Sequence, residues 1–320
     1  MSNVSFRPAI RENVGLWINL VGGTGSGKTY TAMRLASGMS GGKPFAVIDT
    51  ENRRALHYAD QFKFDHAELR EPFTPDSYAE AITAADAAGY PVIVVDSGSH
   101  VWAGDGGMLD MQEAEFQRMG GRDTVKISSW IKPKRQHKKM VSKLLQLRAH
   151  LILCLRAEEK IEMVKEDGKM IVRAKQSMTG KDGWIPICDK NLPFEATCSF
   201  LLLASNPGVP HPIKLQEQHK DIFPVSQAIT ENSGRSLAAW AAGGNPPTAD
   251  SAPPSAPAAA SGPSGAPDAL LVKARELAES GTGVYGEWFE KLSAAEQKKI
   301  GKKRHDELGE IATSFDRAAA

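Results

Sequence analysis

A glycine-rich run, Gly22-Gly23-Thr24-Gly25-Ser26-Gly27-Lys28-Thr29, closes on a lysine and a hydroxyl residue in the spacing G-x-x-x-x-G-K-T. Glycines let consecutive backbone N–H groups converge on one anion without side-chain clash. A lysine at the end of such a nest reaches terminal phosphates, and the next hydroxyl can join the shell of a magnesium ion. The pattern therefore points to ATP with Mg²⁺, contacted by Gly22 through Tyr30. Its surroundings suit it: Leu16 to Val21 is an apolar run of strand length, and Tyr30 to Met39 reads as a helix.

Two acids follow at the ends of apolar runs. Asp96 ends Val92-Ile93-Val94-Val95, where a carboxylate can hold Mg²⁺ together with Thr29. Glu51 ends Phe45-Ala46-Val47-Ile48-Asp49-Thr50, the next strand after the phosphate-loop helix, and is placed to polarise a water for attack on phosphorus.

Ala46 to Glu51 and Val92 to Ser97 resemble the corresponding stretches of the RecA-like recombinase ATPases, in which the attacking water is activated from the early strand. Ser97 after Asp96 agrees with that pattern and differs from the Asp-Glu pair of ordinary AAA+ proteins and helicases. The resemblance implies that Tyr58 stacks on adenine, and that Arg156, after the strand Leu151 to Leu155, stands where bacterial RecA carries a glutamine sensing the γ-phosphate; by that analogy its guanidinium can stabilise a transferring phosphoryl group, the alternative being a pair with Glu158 or Glu159. Beyond about residue 160 the likeness is to compact phage- and prophage-encoded RecA-like ATPases associated with single-strand annealing and recombination. It implies a ring or filament of identical chains, ATP held between subunits, and basic residues such as Lys175 or Lys181 completing a neighbour's site.

These residues need a frame. Apolar runs bounded by polar punctuation alternate with helical stretches, which predicts an α/β fold with a mostly parallel sheet, a P-loop NTPase core. Helices are predicted from Arg53 to about Phe62, over Asp76 to Ala88 with Asp76 as N-cap, from Pro133 to about Arg148, and near Leu237 to Ala242. Ile161 to Arg173 reads as a late antiparallel hairpin turning at Asp167-Gly168, which would add strands at one sheet edge. Gly104 to Gly121 reads as a flexible loop, and the segment after Ala204 as loop-rich.

The 320 residues divide by composition. Residues 1–243 form the ATPase domain. Residues 244–267 are almost wholly Ala, Pro, Ser and Gly with Asp250 as their one charge, a composition that cannot bury a core and predicts a disordered linker. Residues 268–320 regain helical patterning, with Ser293 and Glu296 as a capping box, and form a small all-α module. That module either recruits a single-strand-binding or recombination partner or serves as a solubilising appendage.

A net charge of +1 leaves any nucleic-acid contact to local patches. Between Thr124 and Ala157 no acid occurs, while Lys132, Lys134, Arg135, Lys138 and Lys139 accumulate beside Trp130. Such a strip can track single-stranded DNA while the indole stacks on a base; it can equally be a solvated helix face. Cys154, Cys188 and Cys198 show no C-x-x-C spacing, and no apolar run nears the roughly 18 residues of a membrane span. The expectation is a cytoplasmic protein, in a bacterial host if phage-encoded, with no membrane association.

The leading reading is a DNA-stimulated ATPase. A nucleotide-switched scaffold or loader that hydrolyses ATP slowly is the alternative, and a small-molecule kinase is a weaker third. Lys28→Ala is expected to abolish tight ATP binding, measured by isothermal titration; unaltered affinity would contradict the phosphate-loop assignment.

Overall fold

The computed structural model describes residues 15–243 except 167, 168, 178, 180 and 182, and further on residues 273, 274, 277, 278, 282–293, 297 and 300–319. Within these the chain falls into two units, Met1–Ala252 and Pro253–Ala320. The region read as a linker lies outside the described residues.

The larger unit is built on one sheet. Strands β1 (Trp17–Gly22), β2 (Phe45–Asp49), β3 (Phe64–Glu68), β4 (Val92–Asp96), β5 (His150–Glu159), β9 (Cys198–Leu203) and β10 (Asn206–Lys214) lie in the order β10-β9-β1-β5-β4-β2-β3. From β9 to β3 every pairing is parallel. β10 runs antiparallel on β9, and a short β8 (Trp184–Pro186) pairs antiparallel with the far end of β5. β1, β2 and β4 are buried at every position, because helices cover both faces and leave no polar side for alternation to mark. On one face α1 (Lys28–Met39) and α7 (Glu231–Ala241) pack Met33, Leu35 and Leu237 over Leu20, Val47, Val94 and Phe200. On the other, α2 (Pro75–Ala87) and α5 (Ile131–Leu144) pack Tyr78, Ile82, Met140 and Leu144 over Ile48, Ile93, Val95 and Leu151.

Several local expectations are corrected. The late hairpin exists as β6 (Ile161–Glu166) with β7 (Lys169–Ala174), but forms its own two-stranded ribbon. The antiparallel edge of the main sheet is β10 instead, read from sequence as loop because Pro207, Pro210 and Pro212 interrupt it; an edge strand tolerates them. β3 was not anticipated, since its alternating, half-exposed pattern Phe64-Asp65-His66-Ala67-Glu68 lacks a continuous apolar run. The helix expected from Arg53 to Phe62 is only a 3₁₀ turn, Arg54–Tyr58, entered through Asn52 and Arg53 at positive φ, where a regular helix cannot begin. α2 is capped by Thr74, whose hydroxyl accepts from the Ser77 N–H at 3.1 Å, with Pro75 and not Asp76 starting the helix.

The glycine-rich stretch expected to be flexible holds α4 (Met108–Arg118) after a short α3 (His100–Ala103); its glycines bracket the helix instead of running through it. α5 starts at Ile131 and ends at Leu144, with Pro133 inside its first turn. A short α6 (Leu192–Glu195) precedes β9. α7 begins at Glu231, earlier than expected, behind a Thr230–Ser233 capping box.

The smaller unit contains the helices Thr282–Glu290 and Lys302–Ala319, with Tyr285, Ile300, Leu308 and Ala312 in its core. His305 stacks on Phe289 at 3.9 Å between ring centroids and lies 3.0 Å from the Tyr285 hydroxyl. Glu296 of the anticipated capping box lies outside the described residues. Among those described, no helix is long and apolar enough to cross a membrane, and Cys154, Cys188 and Cys198 are buried free thiols.

α1 and α7 approach so closely that a Cβ on Gly38 would stand 2.0 Å from the Glu231 carbonyl oxygen, and one on Gly234 2.3 Å from that of Leu35. Arg34 clasps Glu231 alongside through Nε and Nη2, at 2.9 and 2.7 Å. Because backbone and not a flexible side chain would have to yield, Gly38→Ala and Gly234→Ala are each expected to destabilise the protein by about 1–3 kcal/mol. Urea denaturation measures this.

Candidate nucleotide site

β1 delivers the chain to the carboxyl edge of the sheet, where residues 23–27 turn back into α1. Gly25 and Gly27 take φ of 76° and 80°, values that residues with a Cβ rarely adopt, so the loop's glycines are a backbone requirement. Inside the loop, the Ser26 hydroxyl and Lys28 Nζ both donate to the Gly23 carbonyl at 2.8 Å. Lys28 thus lies folded against its own loop.

Parallel register brings the other groups to the same edge. Asp49 pairs with Asp96 across β2 and β4, and Gly22 with Arg156 across β1 and β5. The Thr29 hydroxyl at the start of α1 donates to Asp96 Oδ2 at 2.5 Å. Glu51 lies just beyond β2, aimed by a tight turn in which buried Asp49 accepts from the Glu51 N–H at 2.6 Å and the Ala55 N–H at 2.9 Å. Of the two acids closing that strand, then, Asp49 braces the backbone and Glu51 faces the cleft.

That cleft measures about 620 Å³, within the range that holds small molecules. It is lined by Gly22 through Tyr30, with Glu51, Arg54, Tyr58, Asp96, Arg156, Ala157 and Ile187. All residues singled out for nucleotide, magnesium or catalysis therefore share one cavity. Tyr30 and Tyr58 stand 5.8 Å apart between ring centroids and make an aromatic wall at one end.

Arg156 pairs with neither of its neighbouring glutamates; Glu158 is held by Lys160 at 2.7 Å. Its Nε and Nη2 both donate to Glu51 Oε1, at 2.8 and 2.5 Å, and Arg54 approaches Glu51 Oε2 at 3.3 Å. Arg54 was not singled out from sequence, although its position three residues after Glu51 was visible. Burial pushes the Lys28 ammonium below the usual lysine range. Burial likewise raises the Asp96 carboxyl, against the opposing pull of the Thr29 hydroxyl and Lys28.

The residues read as DNA contacts lie elsewhere. Lys132, Lys134, Arg135, Lys138 and Lys139 are exposed on α5, while Pro133, His137, Met140, Val141 and Leu144 form its buried face. Lys132 Nζ is 3.9 Å from Glu115 of α4. Trp130 is half-buried, stacked on Trp102 at 5.6 Å, with Lys134 Nζ 5.9 Å from its ring, so one indole face is already covered.

A parallel sheet, a glycine-rich phosphate loop running into a helix, and an acid from the strand next but one touching the loop's threonine define a P-loop nucleoside triphosphatase domain. The family model of the AAA domain matches residues 15–190, more than half of the chain, and the chain belongs to that family. The family is one of nucleotide-binding ATPases in general. No curated protein sequence matches the chain.

Because burial raises the Asp96 pKa above its unfolded value, its favourable contribution is complete below the unfolded carboxylate pKa. That contribution is lost as pH rises through the folded value. Asp96→Asn stays neutral throughout. In nucleotide-free protein its melting temperature is expected to exceed wild type at pH 8, with the gap closing at acid pH. Differential scanning fluorimetry at both ends of that range measures it.

Proposed function

We propose that this protein is a Mg²⁺-dependent ATPase serving phage or prophage DNA recombination or replication, binding single-stranded DNA and assembling into a ring or filament of identical chains. The observation that carries the reading is that Lys28, Thr29, Glu51, Asp96 and Arg156, brought by β1, β2, β4 and β5, line one cleft. The donor set fits the ligands: Thr29 and Asp96 offer hard oxygen atoms for Mg²⁺, and the loop amides with Lys28 suit a polyphosphate. When bound, Mg²⁺ supplies charge neutralisation at the transferring phosphoryl group.

In this reading Lys28 exchanges the Gly23 carbonyl for phosphate oxygens, and Tyr30 and Tyr58 flank the base. Glu51 takes the proton of the attacking water. It can do so only after Arg156 releases it, and a guanidinium freed at that position is free to meet developing phosphoryl charge. Hydrolysis would therefore begin from a held state. The same grip favours the second reading, a slow nucleotide-switched scaffold or loader, because a base held between two arginines turns over poorly.

DNA enters through the exposed lysines of α5, whose charge is concentrated on one helix face. The carboxyl-terminal unit is read as the recruiting module for a single-strand-binding or recombination partner, supported by its own compact core. Lys175 and Lys181 are exposed, as a contribution to a neighbouring subunit requires.

Phosphate release assayed with and without single-stranded DNA tests the proposal. Stimulation of several-fold at low salt is expected, reduced by Lys138→Glu with Lys139→Glu and weakened by added salt. Glu51→Gln is expected to keep affinity for a slowly hydrolysed ATP analogue while losing about 100-fold or more in turnover. A rate indifferent to DNA would favour the scaffold reading, and full turnover in Glu51→Gln would remove Glu51 from the mechanism.

A further inference from the structure

Between the strand ends that carry Glu51, Asp96 and Arg156 lies a layer of hydroxyl and imidazole groups that the chemistry above does not use. Thr50 precedes Glu51. Its N–H donates to the Asp96 carbonyl at 2.8 Å, and its hydroxyl accepts from the Ser97 N–H at 2.8 Å, so β2 and β4 stay stitched beyond their last paired residues. The same hydroxyl lies 2.8 Å from Nδ1 of His100, the first residue of α3. His100 is in turn held by the Phe73 ring at 5.0 Å, and the Tyr78 hydroxyl donates to the Ser97 carbonyl at 2.7 Å.

Ser99 makes the matching link to β5. It occupies the N-cap position of α3, where a serine hydroxyl ordinarily accepts from the helix's own first N–H groups, yet it makes no such bond. Its hydroxyl accepts instead from the Arg156 N–H at 2.8 Å, and Ser99 itself is only 1 % exposed. Ser99 has helical backbone angles, φ −71° and ψ −21°, so its hydroxyl is turned to the neighbouring strand and not to its own helix. Gly98 N–H, donating to the Cys154 carbonyl at 2.8 Å, adds a second tie from β4 to β5.

We propose that His100 and Ser99 are positioning residues for hydrolysis, His100 setting Glu51 through Thr50 and Ser99 setting Arg156 through its backbone, so that both register against Asp96. The proposal deepens the ATPase reading and rests on it. Neither residue is among those lining the nucleotide cleft, so both act on rate through the groups that do. Displacement of a reacting group by about 1 Å can lower a rate by about 100-fold with little effect on ground-state binding.

The test uses the full-length protein, with ATP turnover, titration of a slowly hydrolysed ATP analogue, and thermal denaturation on the same preparations. His100→Ala and Ser99→Ala are each expected to lower kcat by about 10-fold or more, with KM and analogue affinity changed less than about 2-fold. His100→Asn, whose side-chain amide can meet the Thr50 hydroxyl, is expected to recover much of the loss. In a Glu51→Gln background His100→Ala should cost nothing further, and in an Arg156→Ala background neither should Ser99→Ala, because each acts through that partner.

Unchanged kcat in both single variants would overturn the positioning role. So would a loss that appears only as weakened analogue binding, or one that persists in full in the paired backgrounds. Full turnover in Glu51→Gln alone is a different result: it overturns the base assignment, and with it the part given to His100.

Discussion

Placing a lysine and a carboxylate under a glycine loop, away from water, is the constraint on which this structure turns. Burial disfavours the charged forms of both Lys28 and Asp96. Their compensation is local: a loop carbonyl for the ammonium and the Thr29 hydroxyl for the carboxylate. A buried ammonium and a buried carboxylate at the mouth of a glycine loop suit a ligand bringing phosphate and a divalent cation. The large buried sheet is what makes that arrangement tenable, since α1 packs Met33 and Leu35 onto it and is locked to α7 by close-packed glycines and by the Arg34–Glu231 pair.

The second acid is managed differently. Glu51 is almost shielded from solvent yet faces two guanidinium groups, one from its own turn and one from β5. A carboxylate so engaged is electrostatically comfortable and chemically restrained. The geometry thus separates the loop, which is already formed, from Glu51, whose two oxygens are engaged by Arg156 and Arg54. Asp49, buried one turn earlier, makes the contrast clear: the same residue class within two positions braces the backbone because its oxygens are consumed by N–H groups of the turn.

The two faces of α5 differ sharply in what they are built from. Its buried stripe closes the sheet face beside α2, and most of the remaining positions, freed from packing, are given to lysine and arginine. Charge there costs the fold little, because each long side chain reaches solvent. Trp130, just before the same helix, stacks against Trp102, which covers one face of its indole.

The phosphate loop, the acids at the ends of β2 and β4, and the α/β class could all be read from the chain, because each rests on local spacing or on apolar runs that both-face burial enforces. β3, β10 and α4 could not. An edge strand with alternating or proline-rich residues, and a helix framed by glycines, carry their signals in what they pack against and not in their own periodicity. The partner of Arg156 was likewise hidden: nearby glutamates in sequence were the obvious candidates, and register across the parallel sheet chose one 105 positions away. Sequence determined which chemical groups were present and on which strands; tertiary structure decided which of them touch, because hydrogen-bond register between strands distant in the chain sets those distances.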